Sequence, residues 1–293
     1  MIPRISVIVP VFNPRPEHLR ALYESLRHQS CADFEVLLVD DASTGVEFAL
    51  ITDPRFRVLP QPRNRGPAAC RNVGATAAMA PYLFFTDDDC RLAAGTLETT
   101  IVALERDPIA VGNTVTDIKT WFGRAVALLG FPGGGCIGFH NVWRVSPGGY
   151  STSFSSCNVA FRKETFELLG GFNASLPVPG GEDTILARKA RDRGILMRYV
   201  PEQVVYHVER SSFRDFVRWQ ITRGRGNYYI RQHVPEVGGY LKLRLWTFRN
   251  SLRHAGIRYA PLVLFLIIVS VYYQLKGQRQ EQRAIARSSE SQG

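Results

Sequence analysis

Three consecutive aspartates, Asp87, Asp88 and Asp89, stand at the end of an apolar run, residues 81–86. Adjacent carboxylates repel, and each must be hydrated, paired or bound to a cation. Such a cluster suits a divalent metal at the carboxyl end of a sheet strand, where open α/β sheets place their ligands. It equally suits a solvated acidic turn, and on these residues alone both readings stand. Asp40-Asp41 and Glu182-Asp183, the latter after Pro179-Gly180-Gly181, add two more acidic pairs. A carboxylate within reach of a hydroxyl acts as a general base, yet the same residues also cap turns and helix N-termini. His207 ends a late apolar stretch as a metal ligand or as a strand-end histidine. Arg71 carries a planar fork suited to a base or a phosphate, or is a surface arginine.

These groups need elements to carry them. Residues 5–12 and 34–40 read as strands buried on both faces, and 56–59 as a third. Residues 16–29 form a helix with Leu19, Leu22, Tyr23 and Leu26 on one stripe, and 67–80 a small-residue helix with Pro at its start. The strand ending in the aspartates follows, then a helix over 95–106. This alternation predicts a mostly parallel sheet with helices on both faces. Gly and Pro clusters over 130–149 predict a mobile loop over a cleft. A strand over 158–162, a helix over 182–193 and two short strands, 197–200 and 203–208, complete the pattern. Strand carboxyl ends in a parallel sheet share one edge, so the acidic clusters and His207 are expected in one cleft.

The net charge of +10 is uneven. Residues 1–209 hold 21 Lys and Arg against 22 Asp and Glu, whereas 210–293 hold 15 against 4. A neutral main region argues against a nucleic-acid-binding surface, and the basic tail fits an anionic membrane surface. Phe213, Phe216, Val217 and Ile221 form one helical stripe beyond residue 210, and Leu241, Leu245, Phe248 and Leu252 a second, each with basic residues opposite. Residues 259–275 carry no charge, and 17 residues lie at the lower limit for a spanning helix. The expected segments are therefore 1–209, a basic helical region 210–258, a hydrophobic helix 259–276 as a membrane anchor, and a frayed polar tail 277–293. Five cysteines without CxxC spacing predict buried free thiols in a reducing compartment rather than disulfides or a zinc site. Residues 5–11 are too short and lack the basic leader of a signal peptide.

The order of the pieces over residues 4–209 resembles family 2 glycosyltransferases. It runs through Val9-Pro10-Val11-Phe12-Asn13, Leu38 to Ser43, Asn64-Arg65-Gly66 with Arg71-Asn72, Thr86 to Asp89, Ser156 to Arg162 with Gly170-Gly171-Phe172, Gly181 to Asp183, and Val205-Tyr206-His207. The resemblance implies a GT-A fold, Rossmann-like, and an inverting, metal-dependent transfer of one sugar from a nucleotide-sugar donor. It implies that Asp41 and Arg71 hold the base, usually uridine, with Pro10 and Asn13 lining that pocket. Asp87 and Asp89 match the DxD motif, with Asp88 beside them on the donor side. Asp89 would coordinate Mg2+ or Mn2+, supported by Asp87 and His207. Asp183 corresponds to the general base, with Glu182 orienting it or touching the acceptor, and Asn158 and Cys157 fall on the donor-sugar side. The acceptor expected with a basic, apolar tail is lipid-linked or an envelope glycan precursor, met at the cytoplasmic face of the cell membrane.

The sequence departs from processive members of that family. Arg218-Trp219-Gln220-Ile221-Thr222-Arg223 holds the letters of their Q-x-x-R-W motif in another order, which points to addition of one sugar. Thr184 follows Glu182-Asp183 where many members carry an acidic or apolar residue, so acceptor contacts differ there. A catalytically degenerate binding or scaffold protein on the same fold and a nucleotidyltransferase are the competing classes. The first need not keep every acidic cluster, and the second calls for a Gly- and Lys-rich loop near the N-terminus. No GxGxxG follows the first strand, which sets a dinucleotide-binding dehydrogenase aside.

Overall fold

The computed structural model of the chain describes residues 2–46, 48–130, 135–233 and 237–290, the last with side chains over 245–287. The chain divides into two compact units. The first comprises Met1–Val115, Arg144–Ser175 and Glu182–His207; the second comprises Thr116–Trp143, Leu176–Gly181 and Val208–Gly293.

The first unit opens with β1 (Ile5–Val11), α1 (Pro16–Arg27), β2 (Phe34–Asp40), β3 (Phe56–Pro60), α2 (Pro67–Ala77) and β4 (Tyr82–Phe85). β1 and β2 are buried along almost their whole length, as strands covered on both faces must be. Leu19, Leu22, Tyr23 and Leu26 of α1 are buried, as the spacing predicts. α2 lies unusually close to the sheet. A Cβ on Gly74 would come 2.4 Å from Ile8 Cγ2, so only glycine admits this approach. The unit continues with β5 (Cys90–Leu92), α3 (Thr96–Arg106), β6 (Ile109–Asp117), β7 (Tyr150–Ser151), β8 (Val159–Arg162), α5 (Lys163–Leu168), α6 (Glu182–Asp192) and β9 (Met197–Val208). β6 and β9 each end in the second unit.

The described strands form one sheet in the order β3-β2-β1-β4-β8-β6-β9-β5, with β7 beside β9. The β1–β2, β1–β4 and β2–β3 pairs are parallel. β4–β8, β6–β8, β5–β9 and β7–β9 are antiparallel. The sheet is thus mixed rather than mostly parallel: the strand–helix alternation that enforces right-handed parallel crossovers ends at β4. The expected pair of short strands over 197–208 is one strand that runs through Pro201 and Glu202, both exposed, where burial skips a step. Proline lacks a ladder donor but is tolerated at such an irregularity. A core of Ile5, Val7, Val9, Leu38, Phe84 and their neighbours fills one side of the sheet. Phe85, Phe161, Phe166 and Phe172 pack ring to ring, with centroids 5.0–6.0 Å apart. All five cysteines are buried and free.

The second unit holds α4 (Trp121–Leu128), α7 (Phe213–His233) and α8 (Val237–Glu290), the last kinked at Gly256. Ala125, Val126, Phe216, Val263, Leu266 and Ile267 form its core. The Gly-Pro segment 131–134 and the Leu241 and Lys242 side chains lie outside the described residues. The 277–293 segment, expected to fray, is helical to Glu290. Its buried Glu281 accepts hydrogen bonds from Arg225 Nε (2.6 Å) and Tyr229 Oη (2.7 Å), contacts that its polar composition conceals.

Candidate active site

The carboxyl ends of β1, β2 and β4 share one edge, since Val11 pairs with Asp40 and Ile8 with Phe85. The loops leaving this edge carry the acidic residues. Asn13 and Ala42 hold positive φ values of 46° and 62°, strained conformations that cluster at functional edges. Asn13 pins the loop after β2: its N–H donates to Ser43 Oγ (2.9 Å) and its Oδ1 accepts the Thr44 N–H (2.9 Å). Asp40 Oδ1 accepts the Ser43 N–H at 3.1 Å. Pro10 is half-buried in β1, opposite Val39.

Asp41 is buried, and its two oxygens accept the N–H groups of Arg65 and Gly66, both at 2.8 Å. Gly66, at φ 83°, turns the chain into α2, so Asp41 fixes the loop that starts this helix. Burial, with Asp41 nearby, pushes the Cys70 thiol up to about 12.

One turn into α2, Arg71 is 3% exposed and sits between two acidic pieces far apart in sequence. Its Nη2 donates to Asp87 Oδ1 at 2.6 Å and its Nη1 to Glu182 Oε1 at 3.1 Å. The guanidinium also lies 5.5 Å from the Phe172 ring centroid. Burial opposes its charge, but Asp87 and Glu182 outweigh burial and hold the group above its ordinary value. Arg71, expected to face a base, is therefore occupied by protein carboxylates and ties the Asp87–Asp89 turn to the start of α6.

Glu182 and Asp183 open α6, where the helix dipole favours negative charge. Asp183 is half-buried and its Oδ1 accepts the Thr184 N–H at 2.6 Å. Thr184 Oγ1 reaches the same oxygen at 3.2 Å. Thr184 thus steadies the carboxylate one position before it.

On the other side of the turn, His207 Nε2 lies 3.4 Å from Asp89 Oδ1. Cys90 stands opposite His207 in the β5–β9 register. Ligand atoms of Asp89, Cys90 and His207 fall within 4.8 Å of one another. Asp89 and His207 are partly open to solvent and offer oxygen and imidazole nitrogen, donors that suit Mn2+ or Mg2+. Burial and the adjacent Cys157 keep the Cys90 thiol protonated, so it borders the carboxylate–imidazole pair as a neutral group. Asp87, expected to support the metal, gives its Oδ1 to Arg71. Burial, then Asp89 and Asp87, push the Asp88 carboxyl up to about 7, against the Phe12 amide and His207.

Asn158 is the clearest departure. It is 1% exposed and exchanges two hydrogen bonds with Gln203, donating to its carbonyl at 3.1 Å and accepting from its Nε2 at 3.0 Å. A Cβ on Gly112 would lie 2.2 Å from Asn158 Oδ1, so the amide fills the sheet interior rather than a donor pocket. Cys157 is likewise buried, 3.2 Å from Ser155 Oγ. Neither Gln203 nor Cys90 carries a site role that the sequence alone assigns. Cys90 was detectable as the residue after the aspartates; nothing in the sequence marks Gln203 as the partner of Asn158.

Residues 6–166 match the family model for Glycosyl transferase family 2. An O-antigen biosynthesis protein of Myxococcus xanthus is 32% identical over 72% of this chain and 18% of its own length. An N-acetylglucosaminyltransferase of Bradyrhizobium diazoefficiens is 28% identical over 94% of this chain and 58% of its own. The chain therefore spans less than two thirds of these relatives. A mannosyltransferase from Pyrobaculum calidifontis, solved with GDP-Man and Mn2+, superposes with a TM-score of 0.58 at 20% identity, covering 98% of this chain and 81% of that one. GalNAc-T7, solved with UDP, GalNAc and Mn2+, gives 0.58 at 17% identity over 88% of this chain and 57% of the other. Both share the GT-A fold with this chain.

Proposed function

Because this chain belongs to glycosyl transferase family 2, we propose that it is a glycosyltransferase that moves one sugar from a nucleotide-sugar donor, UDP-linked, to a hydroxyl acceptor with inversion. The observation that carries this reading is the Arg71 clamp. It joins Asp87 of the acidic turn to Glu182, 95 positions later, and so sets Asp183 beside the turn.

Asp183 takes the proton of the acceptor hydroxyl as its oxygen attacks the anomeric carbon, and the bond from that carbon to the diphosphate breaks. Asp183 is suited to this by its place at a helix start and by Thr184, which steadies its Oδ1. Glu182, fixed by Arg71, orients the pair. Asp89 and His207 would hold Mg2+ or Mn2+, which would supply positive charge to the departing nucleoside diphosphate. Asp41, through the 65–66 loop, and Asn13, through the 43–44 loop, shape the wall that meets the base, with Pro10 beside them. Arg71 is a positioning residue. Single displacement needs one base, the role given to Asp183, and a leaving group whose charge a metal would neutralise.

The second unit supports a membrane setting at the cytoplasmic face, with a lipid-linked or envelope-glycan acceptor. Its α8 includes Leu245–Arg287, with a mean hydropathy of 1.9 over its most apolar window and only 28% of that window buried. The name of the Myxococcus relative, an O-antigen biosynthesis protein, favours a surface polysaccharide product. The test is hydrolysis and transfer from a panel of UDP- and GDP-sugars with and without Mn2+. Metal-dependent release of UDP is expected, and release that ignores metal would overturn the assignment.

A further inference from the structure

Beyond Ile267 the buried side of α8 turns from apolar to polar. On the side of α8 turned toward α7, Ser270, Gln274 and Glu281 are buried, along with Gln220 of α7. They are bonded to one another and to their neighbours: Ser270 Oγ to Gln220 Oε1 at 2.8 Å, Gln274 Nε2 to the same oxygen at 2.7 Å, and Asn227 Nδ2 to Gln274 Oε1 at 3.2 Å. The opposite side of α8 carries Leu264, Ile268, Val271, Tyr272 and Leu275, each 44–62% exposed. Their spacing of three and four residues makes one continuous stripe. An apolar stripe facing outward over a polar seam facing inward is the arrangement expected where the outside is lipid.

The same seam shows how α8 meets that lipid. α7 and α8 run in parallel register: Phe213 stacks on Phe265, Gln220 meets Ser270 and Gln274, and Arg225 meets Glu281. The backbones nearly touch, since a Cβ on Gly224 would lie 2.1 Å from Gln274 O and one on Gly277 2.1 Å from Ile221 O. A spanning α8 would therefore take α7 with it into the hydrocarbon, including the exposed Asp215–Arg218 pair. The apolar stretch 259–275 rises about 25 Å, short of the ~30 Å hydrocarbon core. A second copy of this chain is also a poor cover. Over residues 245–287 there are seven Lys and Arg and one acid, Glu281, which is buried against Arg225. Two such faces would repel, whereas an anionic leaflet matches them. Trp121, 61% exposed with its ring 6.0 Å from that of Tyr259, supplies an aromatic of the kind that settles at the headgroup level.

We propose that α8 lies in the plane of one anionic leaflet, its 264–275 stripe in the acyl region and its basic ends at the headgroups, and does not cross the membrane. This rests on the membrane reading above. The full-length protein is mixed with vesicles of phosphatidylglycerol and phosphatidylcholine, and with phosphatidylcholine vesicles alone. Binding is expected to anionic vesicles and to be at least about tenfold weaker to neutral ones. The double variant I268D/Y272D should lose at least about tenfold in vesicle partition while keeping wild-type donor hydrolysis. Single cysteines are then placed at the exposed ends, Ile257→Cys and Arg287→Cys, and a membrane-impermeant maleimide is added outside; the buried native thiols give the wild-type background. Labelling of both ends on bound protein supports the in-plane arrangement. Protection of one end means α8 spans, which overturns this inference and leaves the membrane reading standing. Failure to bind either vesicle overturns both, as does a solution dimer whose stripe is buried.

Discussion

Arg71→Met separates a structural clamp from a nucleotide contact. Arg71 is 3% exposed, and its two partners, Glu182 and Asp87, have side chains 8% and 28% exposed. Methionine keeps much of the volume but leaves two carboxylates facing each other without the cation. Removing one partner of a buried ion pair typically costs about 3–5 kcal/mol. Asp87 still reaches water, so the lower end, about 3 kcal/mol, is the better estimate. At about 2–4 °C per kcal/mol for a unit of this size, Tm should fall by about 6–12 °C. Adding Glu182→Gln removes one of the stranded charges, and the double variant should recover at least about 1 kcal/mol of the loss. The assay is thermal unfolding of the four proteins of this cycle, without nucleotide, alongside titration calorimetry with UDP. An unchanged Tm with lost UDP binding would refute the clamp and return Arg71 to the base pocket. Additive losses without recovery would show that Arg71 and Glu182 are not coupled.

Other outcomes follow from the same geometry. In metal-free protein the raised carboxyl of Asp88, at about 7, means the native state holds a proton that the unfolded chain has lost between about pH 4 and 7. Stability then falls as pH rises through that window, by up to about 1.4 kcal/mol per unit, and Asp88→Asn should flatten the slope in Tm measured from pH 4.5 to 8. Asp89→Ala should abolish the Mn2+-induced thermal shift and lower donor hydrolysis by at least about 100-fold. Gly224→Ala forces a methyl into the Gln274 carbonyl and should cost about 1–3 kcal/mol, read as a lower Tm of the full chain.

Much of the first unit was legible because its strands obey simple patterns. The buried runs at residues 5–11 and 34–40, the Leu19–Leu26 stripe and the proline-led α2 each follow from local chemistry. The antiparallel half was not, since β8 and β6 are short or mixed in polarity and their pairing is decided across many residues. At the site, the acidic residues announced themselves by type, but their partners did not. That Arg71 binds Asp87 and Glu182, and that Asn158 closes on Gln203, depends on helix and strand placement that no local spacing encodes. The tail misled in the other direction: a polar stretch after residue 277 reads as frayed until Arg225 and Tyr229 are found across from Glu281.

The central claim, that Asp183 is the base of a sugar transfer whose donor is held elsewhere, is tested most directly by Asp183→Asn. Calorimetry of the donor nucleotide with Mn2+ and single-turnover transfer to an acceptor are measured on the same preparation. Nucleotide affinity is expected within about twofold of wild type and transfer slower by about 100- to 10,000-fold. Transfer at the wild-type rate would contradict it.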